Sequence, residues 1–244
     1  MAEVVQAGRF LIPVLYEDNH LLVVVKPPNL PSQADSSGDE DLLGILKGYI
    51  GKKYQKPGNV YLGLVHRLDR PVGGAMVFAR TSKAAARLTD QVRTRQMGRT
   101  YLAVVRGDPP GSGALRDFLL KDERTNTSRA VPEGTPGAKE ARLTYRVLAR
   151  REGLALCEIH LQTGRSHQIR VQFSHGGWPL WGDARYGGGR PGEQIALWGC
   201  ALDLVHPTKK EAMHFSCPPP EVPPFSRFPE ARRAGTEGAP GSFQ

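Results

Sequence analysis

Cysteine is scarce in this chain. Its 244 residues hold three, Cys157, Cys200 and Cys217, an odd number, widely scattered and without a Cys-x-x-Cys pair. That argues against a disulfide framework and leaves no zinc-ribbon or dithiol spacing. Cys157 and Cys200 stand in strand-like apolar contexts and read as small buried hydrophobes of a reducing, cytoplasmic compartment. The seven histidines show no His-Glu-x-x-His spacing. His160, His167 and His175 lack a metal-ligand signature, so no metal is expected. Long apolar runs are missing too. Leu21 to Val25 falls far short of the about 20 residues a spanning helix needs, and the N-terminus lacks the basic start and apolar segment of a secretory signal. Acidic side chains are outnumbered, 24 against 33 Lys plus Arg, for a net charge of +9 and a pI near 9.7. That balance favours a polyanionic partner, nucleic acid ahead of a membrane surface. The length suffices for a substantial core in one or two domains.

What is present is organised around residues 61–80. An apolar run from Tyr61 to Val65 leads into His66-Arg67-Leu68-Asp69-Arg70-Pro71-Val72-Gly73-Gly74, and a second, Ala75 to Ala79, leads out. Pro71 restricts Arg70 to extended conformations, and Gly73-Gly74 permits a turn closed to most residues. The expectation is two strands with an acid and two cations at the bend. An ordinary surface ion pair is the plain reading of such a bend. The chemical reading is a carboxylate kept ionised by Arg67 and Arg70, a poor general acid but a usable nucleophile.

Around this stretch the chain reads as strand after strand with few helices. Strands are expected at Leu21–Lys26, Arg99–Gly107, Leu115–Leu120, Ser128–Val131, Ala141–Ala149, Leu154–Leu161, Leu197–Val205 and Ala212–Ser216. Helices are expected from about Leu42 to Lys52 and from a Ser82 cap to about Met97, stopped by Gly98. Ala85, Leu88 and Val92 give the second helix its buried face, and Lys83, Arg87, Arg93 and Arg95 make its other side basic. Lys52 to Asn59 is a basic loop, solvated or in reach of a phosphate backbone. This order argues for an α+β fold with a largely antiparallel sheet. From Cys217 onward the prolines leave no room for regular structure, and a disordered tail is expected over 229–244 after a domain spanning 1–228.

A second informative stretch is Thr163-Gly164-Arg165-Ser166-His167-Gln168-Ile169-Arg170. A strand ends at Thr163-Gly164, and a helix begins near Ser166 with Ile169 and Phe173 on its buried side. Helix starts favour phosphate. Arg170, projecting from the helix, wants a carboxylate or phosphate, and Asp69 is the natural candidate.

The two stretches together, with Tyr16-Glu17-Asp18-Asn19-His20-Leu21 and Lys26-Pro27 before them, Tyr101-Leu102-Ala103 between, and Gly182-Asp183-Ala184-Arg185-Tyr186-Gly187 and His206-Pro207 after, resemble the RluA family of RNA pseudouridine synthases. The resemblance runs from about Val14 to Phe228. It implies an α+β domain on a mixed, mostly antiparallel sheet with flanking helices and a central cleft, without the N-terminal S4 module of some relatives. It implies that Asp69 is the nucleophile converting a uridine of ribosomal or transfer RNA to pseudouridine. Tyr101 would stack on the target base and assist proton removal from C5, and Arg170 would pair with Asp69. Arg67 would hold the flipped-out nucleotide, with His66, Arg165, His167 and Gln168 as further RNA-binding residues of the cleft. No metal or organic cofactor is implied, the partner is RNA, and a monomer is expected.

Two departures stand out. Pro71-Val72-Gly73-Gly74 follows Arg70 where the family usually places Thr-Ser/Thr-Gly, which removes hydroxyls beside Asp69. Leu197-Trp198-Gly199 replaces a common Leu-His-Ala. A non-catalytic RNA-binding protein on a synthase-like fold is the competing reading. A glycosidase using the same carboxylate and releasing free uracil is a third.

Overall fold

In the computed structural model, which describes residues 3–235, the chain forms two compact units. One takes the described residues up to Gly98 together with Ala201–Cys217. The other takes Arg99–Cys200 with the described residues from Pro218 onward.

In the first unit the strands are β1 (Val4–Ala7), β2 (Phe10–Glu17), β3 (Leu21–Lys26), β4 (Gly63–Leu64) and β5 (Gly73–Ala79). They pair antiparallel as β1-β2-β3-β5, with β4 also on β5. Leu21 to Val24 and Met76 to Ala79 are fully buried. Both strands therefore read as continuous apolar runs, covered on both faces. Strand β11 (Leu197–Val205) contributes Ala201–Val205 beside β5, and β12 (Ala212–Ser216) pairs antiparallel with it.

Two helices belong to this unit. Helix α1 (Leu42–Lys53) starts where Asp41 Oδ1 accepts from the Gly44 N–H at 3.0 Å. Helix α2 (Ser82–Arg93) is capped by Thr81, whose Oγ1 accepts from the Ala84 N–H at 3.1 Å. Ser82 is thus the first helical residue, not the cap. The helix also stops short of Met97. Arg95 turns to φ 63°, and the Gln96 and Met97 N–H groups return to Gln91 O. Its buried face is Ala84, Leu88 and Gln91. Gln91 replaces the expected apolar residue because its amide gives and takes hydrogen bonds with the Val205 backbone, at 2.7 and 2.9 Å. The other face is less basic than its sequence, since Arg87 donates to Pro207 O and Arg93 pairs with Asp90.

Asp18 joins the ends of this unit. Its carboxylate accepts from the His20 and Leu21 N–H groups, Tyr16 Oη and His206 Nε2, all within 3.0 Å. His206 Nδ1 accepts the Thr208 and Lys209 N–H groups, so Nε2 carries the proton. Burial opposes ionisation of Asp18, and these donors hold its carboxyl far below the usual range despite it.

The second unit orders β6 (Gly98–Arg106, from Arg99), β10 (Leu154–Leu161), β9 (Lys139–Arg151), β7 (Ser112–Asp122) and β8 (Thr127–Val131), each pair antiparallel. Leu197–Cys200 of β11 lies beside β6. Helix α3 (Gln168–His175) starts two residues later than the sequence suggests, with His167 at φ 55° in the N-cap position and no side-chain cap. Val171 packs against Leu119 and Ala141, and the Phe173 ring stands edge-on to Tyr145 at 5.3 Å. All three cysteines are buried, and burial pushes the Cys157 thiol up to about 12, as expected of structural thiols. Against expectation, the proline-rich C-terminal stretch forms two 3-10 turns, Phe225–Arg227 and Pro229–Arg232. Phe228 is buried there, and Arg151 grips Glu230 with two bonds of 2.8 and 2.9 Å. The rest of the expected tail, 236–244, lies outside the described residues. Among the described residues no helix is long and apolar enough to cross a membrane.

Candidate active site

Asp69 sits on a turn closed by the Val72 N–H donating to its carbonyl at 2.9 Å, between β4 and β5. The proline-rich connection after β3 holds that turn from below. Ser32 Oγ donates to Leu68 O at 2.7 Å, and the Asn29 N–H donates to Arg70 O at 2.8 Å. Lys26 Nζ donates to both Pro27 O and Arg70 O at 3.0 Å. Asn29 adopts φ 64°, a conformation asparagine tolerates better than most residues. Beyond the turn, His66 Nε2 accepts the Val77 N–H at 3.1 Å, so this histidine fastens the approach segment to β5.

One cation coupled to Asp69 is a residue the sequence reading did not name. Arg70 turns toward the acidic loop, where its guanidinium pairs with Asp39 and Asp35 and donates to Ser37 Oγ. Arg67 is exposed. Lys26, fully buried, feels the Asp69 charge. Burial pushes its ammonium down to about 7, the Asp69 charge pulls it back up, and Arg70 adds a further downward push. A lysine closing an apolar strand, directly before two prolines, is the sequence signal that could have found it.

In the second unit Arg170 is a buried residue of α3. Its Nε and Nη2 each donate to a different oxygen of Asp183 at 2.8 Å, a bidentate pair. The carboxylate is held in turn by the Arg185 and Tyr186 N–H groups at 3.0 and 3.2 Å. Burial works against its charge, but Arg170 more than offsets this, and the carboxyl stays below its usual range. The glycines around Asp183 are there for close approach. A Cβ on Gly182, at φ 70°, would stand 2.3 Å from Gln194 O, and one on Gly189 would stand 2.7 Å from the Gly182 carbonyl carbon. The Gly-Asp-Ala-Arg-Tyr-Gly motif is thus a cradle for Arg170, and Asp183 is a site residue that sequence reasoning left unassigned.

The other sequence-predicted residues of this unit fall into two groups. Tyr101 lies near the start of β6, opposite Ile159, and is 6% exposed. Arg165 is exposed, with Nε on Glu140 O at 2.8 Å. His167 Nδ1 lies 2.7 Å from Tyr186 Oη, which also accepts the Ser128 N–H. Gln168 is only 3% exposed. Its oxygen accepts from Thr163 Oγ1 and the Arg165 N–H, and its nitrogen donates to Arg142 O and Gln172 Oε1, all at 2.7–3.0 Å. An amide so occupied holds the loop together.

Comparison with known proteins places the chain in a family. The family model for RNA pseudouridylate synthase matches residues 20–175, which include Asp69, Tyr101 and Arg170. The chain belongs to that family, in its RluA branch. A Bacillus subtilis protein named as the uncharacterized RNA pseudouridine synthase YhcT is 35% identical over 86% of this chain and 69% of its own length. The ribosomal large subunit pseudouridine synthase D of Xanthomonas campestris is 32% identical over 85% of this chain and 66% of its own. The chain thus spans about two thirds of the length of these relatives. Among solved structures, human RNA pseudouridylate synthase domain containing 4 superposes with a TM-score of 0.71 at 25% identity, covering 85% of this chain and 88% of that one.

Proposed function

We propose that this protein isomerises a uridine of ribosomal RNA to pseudouridine, with the Asp69 carboxylate as nucleophile. The observation that carries the reading is the Asp69 turn itself. One acid stands on a rigid bend inside the family-matched segment, clamped from below by Ser32, Asn29 and Lys26. A base must leave its stack to reach such a group, at a cost of a few kcal/mol. Stacking on an aromatic ring returns ~1–3 kcal/mol, and Tyr101 is assigned that place. Asp69 bonds to C1′ as the C1′–N1 bond breaks; the uracil turns, C5 bonds to C1′ and Asp69 leaves. The C5 proton departs with the help of Tyr101, and N1 gains one, so the reaction is balanced without a cofactor. Arg170 is assigned to pair with Asp69. Arg67 and Arg165, with His167, are assigned to the RNA around the flipped nucleotide.

Ribosomal RNA is favoured over transfer RNA by the name of the Xanthomonas relative. The test is a map of pseudouridines in both RNA classes from cells with and without the gene, complemented with wild type or Asp69→Asn. One or more ribosomal positions lost without the gene and restored only by the wild type is the expected result. Restoration by Asp69→Asn would favour a non-catalytic RNA-binding role, and release of free uracil in vitro a glycosidase.

A further inference from the structure

The basic residues of α1 divide in two. Lys53 and Tyr54 are drawn inward onto Glu17, and Lys53 also onto Glu3. Lys47 and Lys52 have no ion pair among the described residues. Both line an open groove of about 920 Å³ between α1 and residues 58–62, which has no acidic side chain in its lining. Asn59 and Tyr61 form the other wall, and Tyr61 is 49% exposed. The floor is smooth because α1 carries Gly48 and Gly51 there; a Cβ on Gly48 would meet nothing within 4 Å. Glycine inside a helix weakens it, so the groove is kept at the helix's expense.

We propose that this groove binds a single-stranded stretch of the RNA substrate beside the target uridine, lysines on phosphates and Tyr61 on a base face. The inference rests on the RNA-modifying reading above and extends it to a site away from Asp69. Two uncompensated cations and an exposed aromatic ring are what sequence-tolerant single-strand binding uses, whereas a duplex hides its base faces. The groove also belongs to the same unit as the acid. Asp69 follows Leu62 by seven positions, a span of no more than about 25 Å even if extended, within the reach of a strand of several nucleotides.

Binding of a fluorescent uridine-containing single-stranded oligonucleotide, read across a salt series, tests this separately from catalysis. Lys47→Gln/Lys52→Gln should weaken binding about tenfold and lower the slope of log Kd against log salt by about 1.4, the loss of two phosphate contacts. Tyr61→Ala should weaken binding about tenfold at unchanged slope. Gly48→Met fills the floor while favouring the helix, so its Tm should not fall although its binding should. The rate at saturating RNA should stay at wild type in all three. Unchanged affinity and slope in the double lysine variant, or wild-type affinity in Gly48→Met, overturns the proposal. A protein that makes no pseudouridine yet loses binding in these variants would sink the enzymatic reading and leave the groove standing.

Discussion

At the Asp69 turn the buried cation is a lysine whose hydrogen bonds go to two carbonyl oxygens; in the cradle of α3 it is an arginine gripped by a carboxylate. Both are taken from water, but only the second brings its own counter-charge in fixed geometry. Lys26 depends for its charge on Asp69 and can give up its proton near neutrality. Arg170 cannot, and Asp183 stays ionised beside it. One region is built to respond to its surroundings, the other to hold still.

The comparison is broken most directly at the acid. Asp69→Asn should lower pseudouridine formation by at least about 10³-fold while leaving RNA affinity within a few-fold, since a nucleophile contributes to the reaction and not to capture. Filter binding and product analysis on the same RNA measure the two. Asp183→Ala comes next. It removes the bidentate carboxylate partner of a buried guanidinium, and denaturant unfolding should show a loss of about 3–5 kcal/mol. Gln168→Met leaves the Arg165 N–H without its acceptor and the Gln172 amide oxygen without its donor, a smaller loss of about 1–3 kcal/mol by the same measurement.

Lys26 should act through pH. Its folded-state pKa of about 7 lies below the ordinary 10.5, so between those values the unfolded chain binds more protons and stability rises with pH. The slope is at most about 1.4 kcal/mol per pH unit, read from urea midpoints across that range. Lys26→Met should flatten it. Asp69→Asn should move its onset lower, because the charge that supports the ammonium is gone; an unmoved onset would mean the two groups are not coupled. The smallest effect is Arg67→Ala. That side chain is exposed, so stability should stay within about 0.5 kcal/mol while RNA affinity falls.

Much of this was legible in the sequence. Uninterrupted apolar runs such as Leu21 to Val25 and Ala75 to Ala79 gave their strands directly, because both faces are covered. Helix α1, expected from about Leu42 to Lys52, was found nearly to the residue. What stayed hidden depends on partners far along the chain. Gln91 looks polar until Val205 arrives to pair with it, and Arg70 looks like the partner of the adjacent Asp69 until the Asp35–Asp39 loop competes for it. Lys26 and Asp183 were passed over because a lone lysine in a strand and an aspartate among glycines carry no periodicity. Their meaning lies in what is buried around them. The joining of the two sequence-predicted stretches into one working centre is carried by the proposed function and its tests.

The bond between Asp18 and His206 closes a loop 188 residues apart in sequence. During synthesis the first unit therefore waits, its strand β5 an open edge, until nearly the whole of the second has left the ribosome. Such long-range closure slows folding, and it leaves that apolar edge available for mispairing in the interval. A chain cut after Cys200 would lose both the histidine and the strand beside β5, and should be recovered as aggregate rather than as a smaller soluble protein.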